Sequence, residues 1–127
     1  MSEEADIQAL AKRFFDAIEL GDIDAVRDCY APHAEIWHNI DGQVSTREQN
    51  IETLRAFIAR VAKRRYEHRR LQVFEGGFVQ QHELHCMVTE RREVVVPACL
   101  VCRVEHDRIV RLDEYFDARK LREFRTD

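Results

Sequence analysis

Apolar residues recur at helical spacing near the start of the chain. Ile7, Leu10, Ala11, Phe14, Phe15 and Ile18 fall on one face, with acids before them and Gly21 after. This pattern predicts a first helix. Asp22 suits the cap of a short second helix carrying Ile23, Val26 and Tyr30, which Pro32 closes because the residue before a proline disfavours helical geometry. Residues 34–40, β-branched and aromatic, predict a strand that ends at Asp41-Gly42. Ser45-x-x-Glu48 reads as a capping box. Behind it Ile51, Leu54, Ile58 and Val61 mark a third helix reaching the basic run Lys63, Arg64, Arg65.

From Tyr66 onward the period changes from helical to alternating. Residues 66–75, a turn at Gly76-Gly77, residues 78–90, residues 93–105, a tight turn at His106-Asp107 and residues 108–116 predict a four-strand antiparallel meander. The fold class is therefore α+β, with three N-terminal helices packed on a curved, mostly antiparallel sheet in one domain over residues 1–127. The stretch 94–102 is apolar on both faces. Helices cover one face only. With no further element in the pattern, a second copy of the chain on the outer sheet face is the expected cover, which predicts a homodimer.

The 127 residues are 45% hydrophobic, enough for one core and one cavity. Twenty basic and 24 acidic side chains leave a net charge of −4, which gives no overall pull toward nucleic acid or an anionic membrane. No apolar run approaches the roughly 18 residues of a membrane span, and the acidic start differs from a secretory leader, so a cytoplasmic protein is expected. Cys29, Cys86, Cys99 and Cys102 read as reduced thiols. Although Cys99 and Cys102 have C-x-x-C spacing, strand residues three apart face opposite sides, and neither a metal nor another cofactor is expected.

Three polar residues interrupt apolar strand faces: His38 among Ala34, Ile36 and Ile40; His82 among Phe78, Leu84, Cys86 and Val88; and Glu114 among Val110, Leu112 and Phe116. A carboxyl in such surroundings is expected to have a raised pKa, and a His titrates near 6.5, so the three meeting in one cavity would suit proton transfer. The plainer alternative is a Glu paired with an Arg at the sheet mouth, and imidazoles bonded to backbone carbonyls. One bulge would reverse the faces and turn Glu83 and His85, or Trp37 and Asn39, inward. The hairpin leaves Glu114 opposite Cys99 or, with a bulged loop, opposite Ala98.

The stretch FFDAIELGDIDAVRDCYAPHAEIWHN is similar to the opening of ketosteroid isomerases and SnoaL-like polyketide cyclases, and RIVRLDEYFD resembles the last strand of limonene epoxide hydrolases. With this order of elements, the chain resembles the nuclear transport factor 2 superfamily from end to end. The resemblance implies a conical pocket between helices and sheet, holding a small, largely apolar molecule. It puts Phe14 and Leu100 at the oxyanion-donor positions of the isomerases and His38 close to their base. For the epoxide hydrolases, Asn39 matches an Asn, Trp37 replaces a Tyr and Glu114 stands for one Asp, while Glu83 and His85 fall at the Arg and the second Asp. That set is incomplete. The expected site is thus His38, His82 and Glu114 for catalysis, with Trp37, Asn39, Phe14, Tyr30, Leu100 and Phe116 around the ligand. Two readings stay open: a cofactor-free isomerase, cyclase, dehydratase or hydrolase, and a ligand-binding or dimerisation module without turnover.

Overall fold

A computed structural model describes residues 2–124. Helix α1 (Glu3–Leu20) starts where Ser2 Oγ accepts from the Ala5 amide at 3.1 Å and stops at Gly21, whose φ of 77° suits a residue without Cβ. Asp22 caps α2 (Ile23–Cys29). That helix ends before Tyr30, which instead opens strand β1 (Tyr30–His38). Pro32 lies inside the strand and does not close the helix. Its missing amide is tolerated because pairing of β1 with the last strand is irregular between Tyr30 and Glu35.

A three-residue strand, β2 (Val44–Thr46), is too short to leave an alternation and went unpredicted. Thr46, one residue after the expected Ser45, caps α3 (Arg47–Arg60): its Oγ1 accepts from the Gln49 amide at 3.1 Å, while Gln49 Oε1 accepts from the Thr46 amide at 2.9 Å. The helix does not reach the basic run, which begins β3 (Lys63–Phe74). Arg64 turns back to donate to the carbonyls of Ile18 and Glu19, at 3.0 and 3.2 Å, and so serves the end of α1. Strands β4 (Gly77–Thr89), β5 (Arg92–Glu105) and β6 (Arg108–Phe116) complete the meander, and a short α4 (Arg119–Glu123), also unpredicted, follows.

The six strands run in the order β2-β1-β6-β5-β4-β3 in one curved, unclosed sheet, with β1 and β6 parallel and every other pair antiparallel. Phe14 and Phe15 of α1 seat on its concave side, 5.3 Å from the rings of Tyr30 and Tyr66 respectively, and are essentially buried. His106 and Asp107, both at positive φ, form the two-residue β5–β6 turn. One residue further the register shifts, because Val104 pairs with Ile109 but Arg103 pairs with Arg111. Val110 is the extra residue. Ile109 therefore takes the buried position expected of Val110, and Glu114 faces Leu100 instead of Cys99 or Ala98.

Candidate acid–base site in the cone

Curvature of the sheet leaves a cavity of about 290 Å³ between its concave face, α3 and α4. Ile40, Leu54, Phe57, Leu84, Val96, Ala98, Phe116, Leu121 and Phe124 supply apolar lining, and His38, Asp41, Ser45, Asn50, Thr53, Tyr66 and Glu114 the polar groups. The volume is near the lower end of the range of about 300–1,000 Å³ seen for small-molecule sites, so a compact ligand fits. Phe124, just after α4, packs edge-on against Phe57 at 6.0 Å, and Arg60 Nη2 donates to its carbonyl at 3.3 Å. These contacts hold α4 across the rim.

His38 and Glu114 meet inside this lining. Their backbones pair across β1 and β6, and both side chains project from the concave face, with His38 Nε2 at 3.0 Å from Glu114 Oε1. The side chains are 22% and 24% exposed. Burial lowers the His38 pKa, but the hydrogen bond and charge of Glu114, together with Asp41, outweigh it and raise the pKa above its ordinary value. A carboxylate only accepts, so in the neutral ring Nε2 carries the hydrogen and Nδ1 keeps the basic lone pair, and in the imidazolium both nitrogens are protonated. Glu114 is therefore half of a polar pair, not an isolated carboxyl among apolar neighbours, and its partner is a His instead of an Arg.

His82, also inward-facing, does not join them. It is 5% exposed, accepts at Nδ1 from Gln80 Nε2 at 2.9 Å, and its ring lies 5.2 Å from Phe15 and 4.5 Å from Tyr66, off the cavity lining. Burial, helped by the Arg69 charge, pushes its pKa down to about 4, so the ring is neutral.

Of the expected ligand contacts, Phe116 lines the cavity. Phe14, Tyr30 and Leu100 are buried in the core and are absent from the lining, because α1 packs directly on the sheet there. Trp37 packs edge-on against Tyr115 at 5.2 Å on the outer face, as the strand alternation opposite to His38 and Glu114 requires. Asn39 locks two strands together: its Nδ2 donates to the Phe116 carbonyl and its Oδ1 accepts from the Phe116 amide, both at 3.0 Å. Glu83 and His85 alternate away from His82 and Leu84 and pair with each other at 3.3 Å, outside the lining. Asn50, Tyr66 and Phe57 are lining residues that the strand alternation does not single out, although Asn50, Leu54 and Phe57 form an i, i+4, i+7 stripe that marks two of the three. Among the described residues, no three His, Cys, Asp or Glu side chains are grouped to hold a metal ion.

The sequence profile of the SnoaL-like domain matches residues 11–112. The chain belongs to the SnoaL-like domain family. Solved structures show that this SnoaL-like domain has the nuclear transport factor 2-like fold. One protein of that fold from Burkholderia pseudomallei, of unknown function, is 17% identical, with the whole of both chains covered and a TM-score of 0.83. An epoxide hydrolase from M. tuberculosis that resembles limonene epoxide hydrolase is 18% identical over 97% of this chain and 91% of its own, with a TM-score of 0.79. A ketosteroid isomerase-like fold from Catenulispora acidiphila, solved with trimethylamine, is 13% identical over 86% of this chain and 85% of its own, with a TM-score of 0.76. No curated protein matches the sequence. No helix among the described residues of the SnoaL-like domain is long and apolar enough to cross a membrane.

Proposed function

We propose that this SnoaL-like domain binds a compact, largely apolar organic molecule in the cone and transfers a proton on it, without a cofactor. The observation that carries the reading is the His38–Glu114 pair at 3.0 Å inside a mostly apolar lining. Glu114 fixes the imidazole tautomer and stabilises the imidazolium formed when Nδ1 takes a proton, which is the division of labour a base and its orienting carboxylate need. Isomerisation, aldol-type cyclisation, dehydration and water addition all begin or end with such a step. His82, neutral and off the lining, is no part of it. Apolar side chains on the outer sheet face support a homodimer, and four unpaired cysteines suit a reducing cytoplasm.

A generic proton-transfer probe tests the base directly. In 5-nitrobenzisoxazole a base removes the C3 hydrogen, the electron pair closes a nitrile, and the N–O bond breaks to release a coloured cyanophenolate. The protein should outpace an equal concentration of free imidazole, and His38→Gln should remove at least about tenfold of the rate. Equal rates for the two proteins would overturn the reading. The second reading, a binding module without turnover, draws on Phe14 and Leu100, apolar core residues where the resemblance places oxyanion donors. It predicts that the probe binds but is not converted.

A further inference from the structure

Asn50, Gln80 and His82 are the buried polar side chains of the described core, and of these Asn50 alone lines the cone, at 6% exposure. From the core side the Tyr30 hydroxyl donates to Asn50 Oδ1 at 3.0 Å. Chemistry fixes that direction. A buried phenol needs an acceptor for its hydrogen, and turning the carboxamide over would set N–H against O–H and leave the phenol hydrogen without one. The ring is held in place by Phe14, edge-on at 5.3 Å. Asn50 Nδ2 has no partner among the described residues, yet no polar side-chain atom there is both buried and unsatisfied. Its N–H groups therefore open into the cavity. The described lining also contains Glu114 and Asp41 but neither Lys nor Arg, and any charge on His38 is matched by Glu114 at 3.0 Å, which disfavours an anionic ligand.

We propose that Asn50 Nδ2 is the donor that recognises an uncharged carbonyl oxygen on the ligand, and that Tyr30 is the positioning residue that aims it. This deepens the reading above and rests on it, since it names the polar handle of the apolar molecule in the same cavity.

Three probes of similar shape test it by fluorescence titration: 2-acetylnaphthalene, 2-isopropenylnaphthalene, in which CH₂ replaces the carbonyl oxygen, and anionic 2-naphthoate. The unaltered protein should bind the ketone about tenfold more tightly than the alkene, the increment of one good hydrogen bond in an apolar site, and more tightly than naphthoate. The bound ketone's C=O stretch should fall below its value in hexane. Asn50→Leu should abolish both the preference and the shift. Tyr30→Phe should shrink the preference while alkene binding holds, whereas a merely structural role for Tyr30 would weaken both probes alike. Equal ketone and alkene affinity, with the stretch at its hexane value, would overturn the Asn50 assignment and leave the cavity reading standing. Binding of none of the three at millimolar concentration would overturn both. Loss of the preference in Tyr66→Phe but not in Asn50→Leu would also overturn the assignment. The first comparison uses the unaltered protein, so it stands even if a variant fails to fold.

Discussion

His38 Nε2 and Glu114 Oε1 stand 3.0 Å apart across the one parallel strand pair of the sheet. The adjacent residue keeps them there. Asn39 receives the Phe116 amide at Oδ1, gives Nδ2 to the Phe116 carbonyl and gives its own amide to the Glu114 carbonyl, each at 3.0 Å. A slip of one residue in that seam would turn Glu114 to the outer face and separate the pair. Asn39 thus acts on the site through register, although it touches no part of the cavity.

The pair reverses the sign that an isolated carboxyl would give. With a raised folded-state pKa, His38 contributes stability that is fully present below its unfolded value of about 6.5 and is lost as pH rises through the folded value. Glu114→Gln should therefore destabilise the protein by roughly 1 kcal/mol at pH 6, and the difference from wild type should fade by pH 9. Paired thermal melts at the two pH values check this. A stabilising substitution, or a loss independent of pH, would show that the contact does not hold in solution.

His82 should act in the opposite direction. Its pKa is about 4 in the folded protein, pushed down by burial and by Arg69, against about 6.5 when unfolded, so the unfolded chain binds the extra proton between those values. The stability it contributes is intact above pH 6.5 and is lost as pH falls toward 4, by on the order of 2 kcal/mol at pH 4.5. His82→Gln removes the titration. Urea denaturation at pH 7 and pH 4.5 should show a smaller acid loss for the variant than for wild type, and an equal loss would mean that the imidazole is not held neutral.

The two members of the pair were visible in the sequence because strand alternation has a period of two, and a polar residue at an apolar position stands out over a few residues. His82 stood out for the same reason. Nothing local separates a residue lining a cavity from one a layer behind, and only the packing of Phe15 and Tyr66 against His82 does so. The extra Val110 in β6 was illegible because a bulge alters pairing without altering composition. Thr46 displaced Ser45 as the cap of α3 because Gln49 completes the reciprocal pair as well as Glu48 would. Strand β2 and helix α4, at three and five residues, are too short to show a period at all.

Gly76 and Gly77 are adjacent, but different physics requires each. Gly76 has φ of 83° and open space where a Cβ would lie, so Gly76→Ala should cost only left-handed backbone strain, about 1 kcal/mol. A Cβ on Gly77 would sit 2.1 Å from the Cys102 carbonyl oxygen and 2.7 Å from the Phe74 ring. The carbonyl belongs to the neighbouring strand and cannot swing aside, so Gly77→Ala should cost about 3 kcal/mol. Denaturant titration of the two variants should rank them in that order. Equal losses would mean that β4 shifts freely against β5.

The outer face of β5 carries Val95, Pro97, Cys99 and Val101, flanked by Val79 of β4 and Tyr115 of β6, the last 47% exposed. No element of the described residues packs over them, in contrast to Val94, Val96, Leu100 and Cys102, which are at most 5% exposed on the concave side. Apolar side chains of this kind on an uncovered sheet face favour burial against a like surface, and a two-fold dimer brings the same patch from each copy. Sedimentation at micromolar concentration should give twice the 15.1 kDa chain mass. Val101→Lys separates dimerisation from folding. Val101 pairs with Asp113 across β6, so a single protomer can accommodate the ammonium beside that carboxylate, while two copies would bury facing charges. The variant should sediment as a folded monomer with the dichroism spectrum of wild type. A wild-type protein that stays monomeric at that concentration, or a Val101→Lys variant that stays dimeric, would remove this face as the interface.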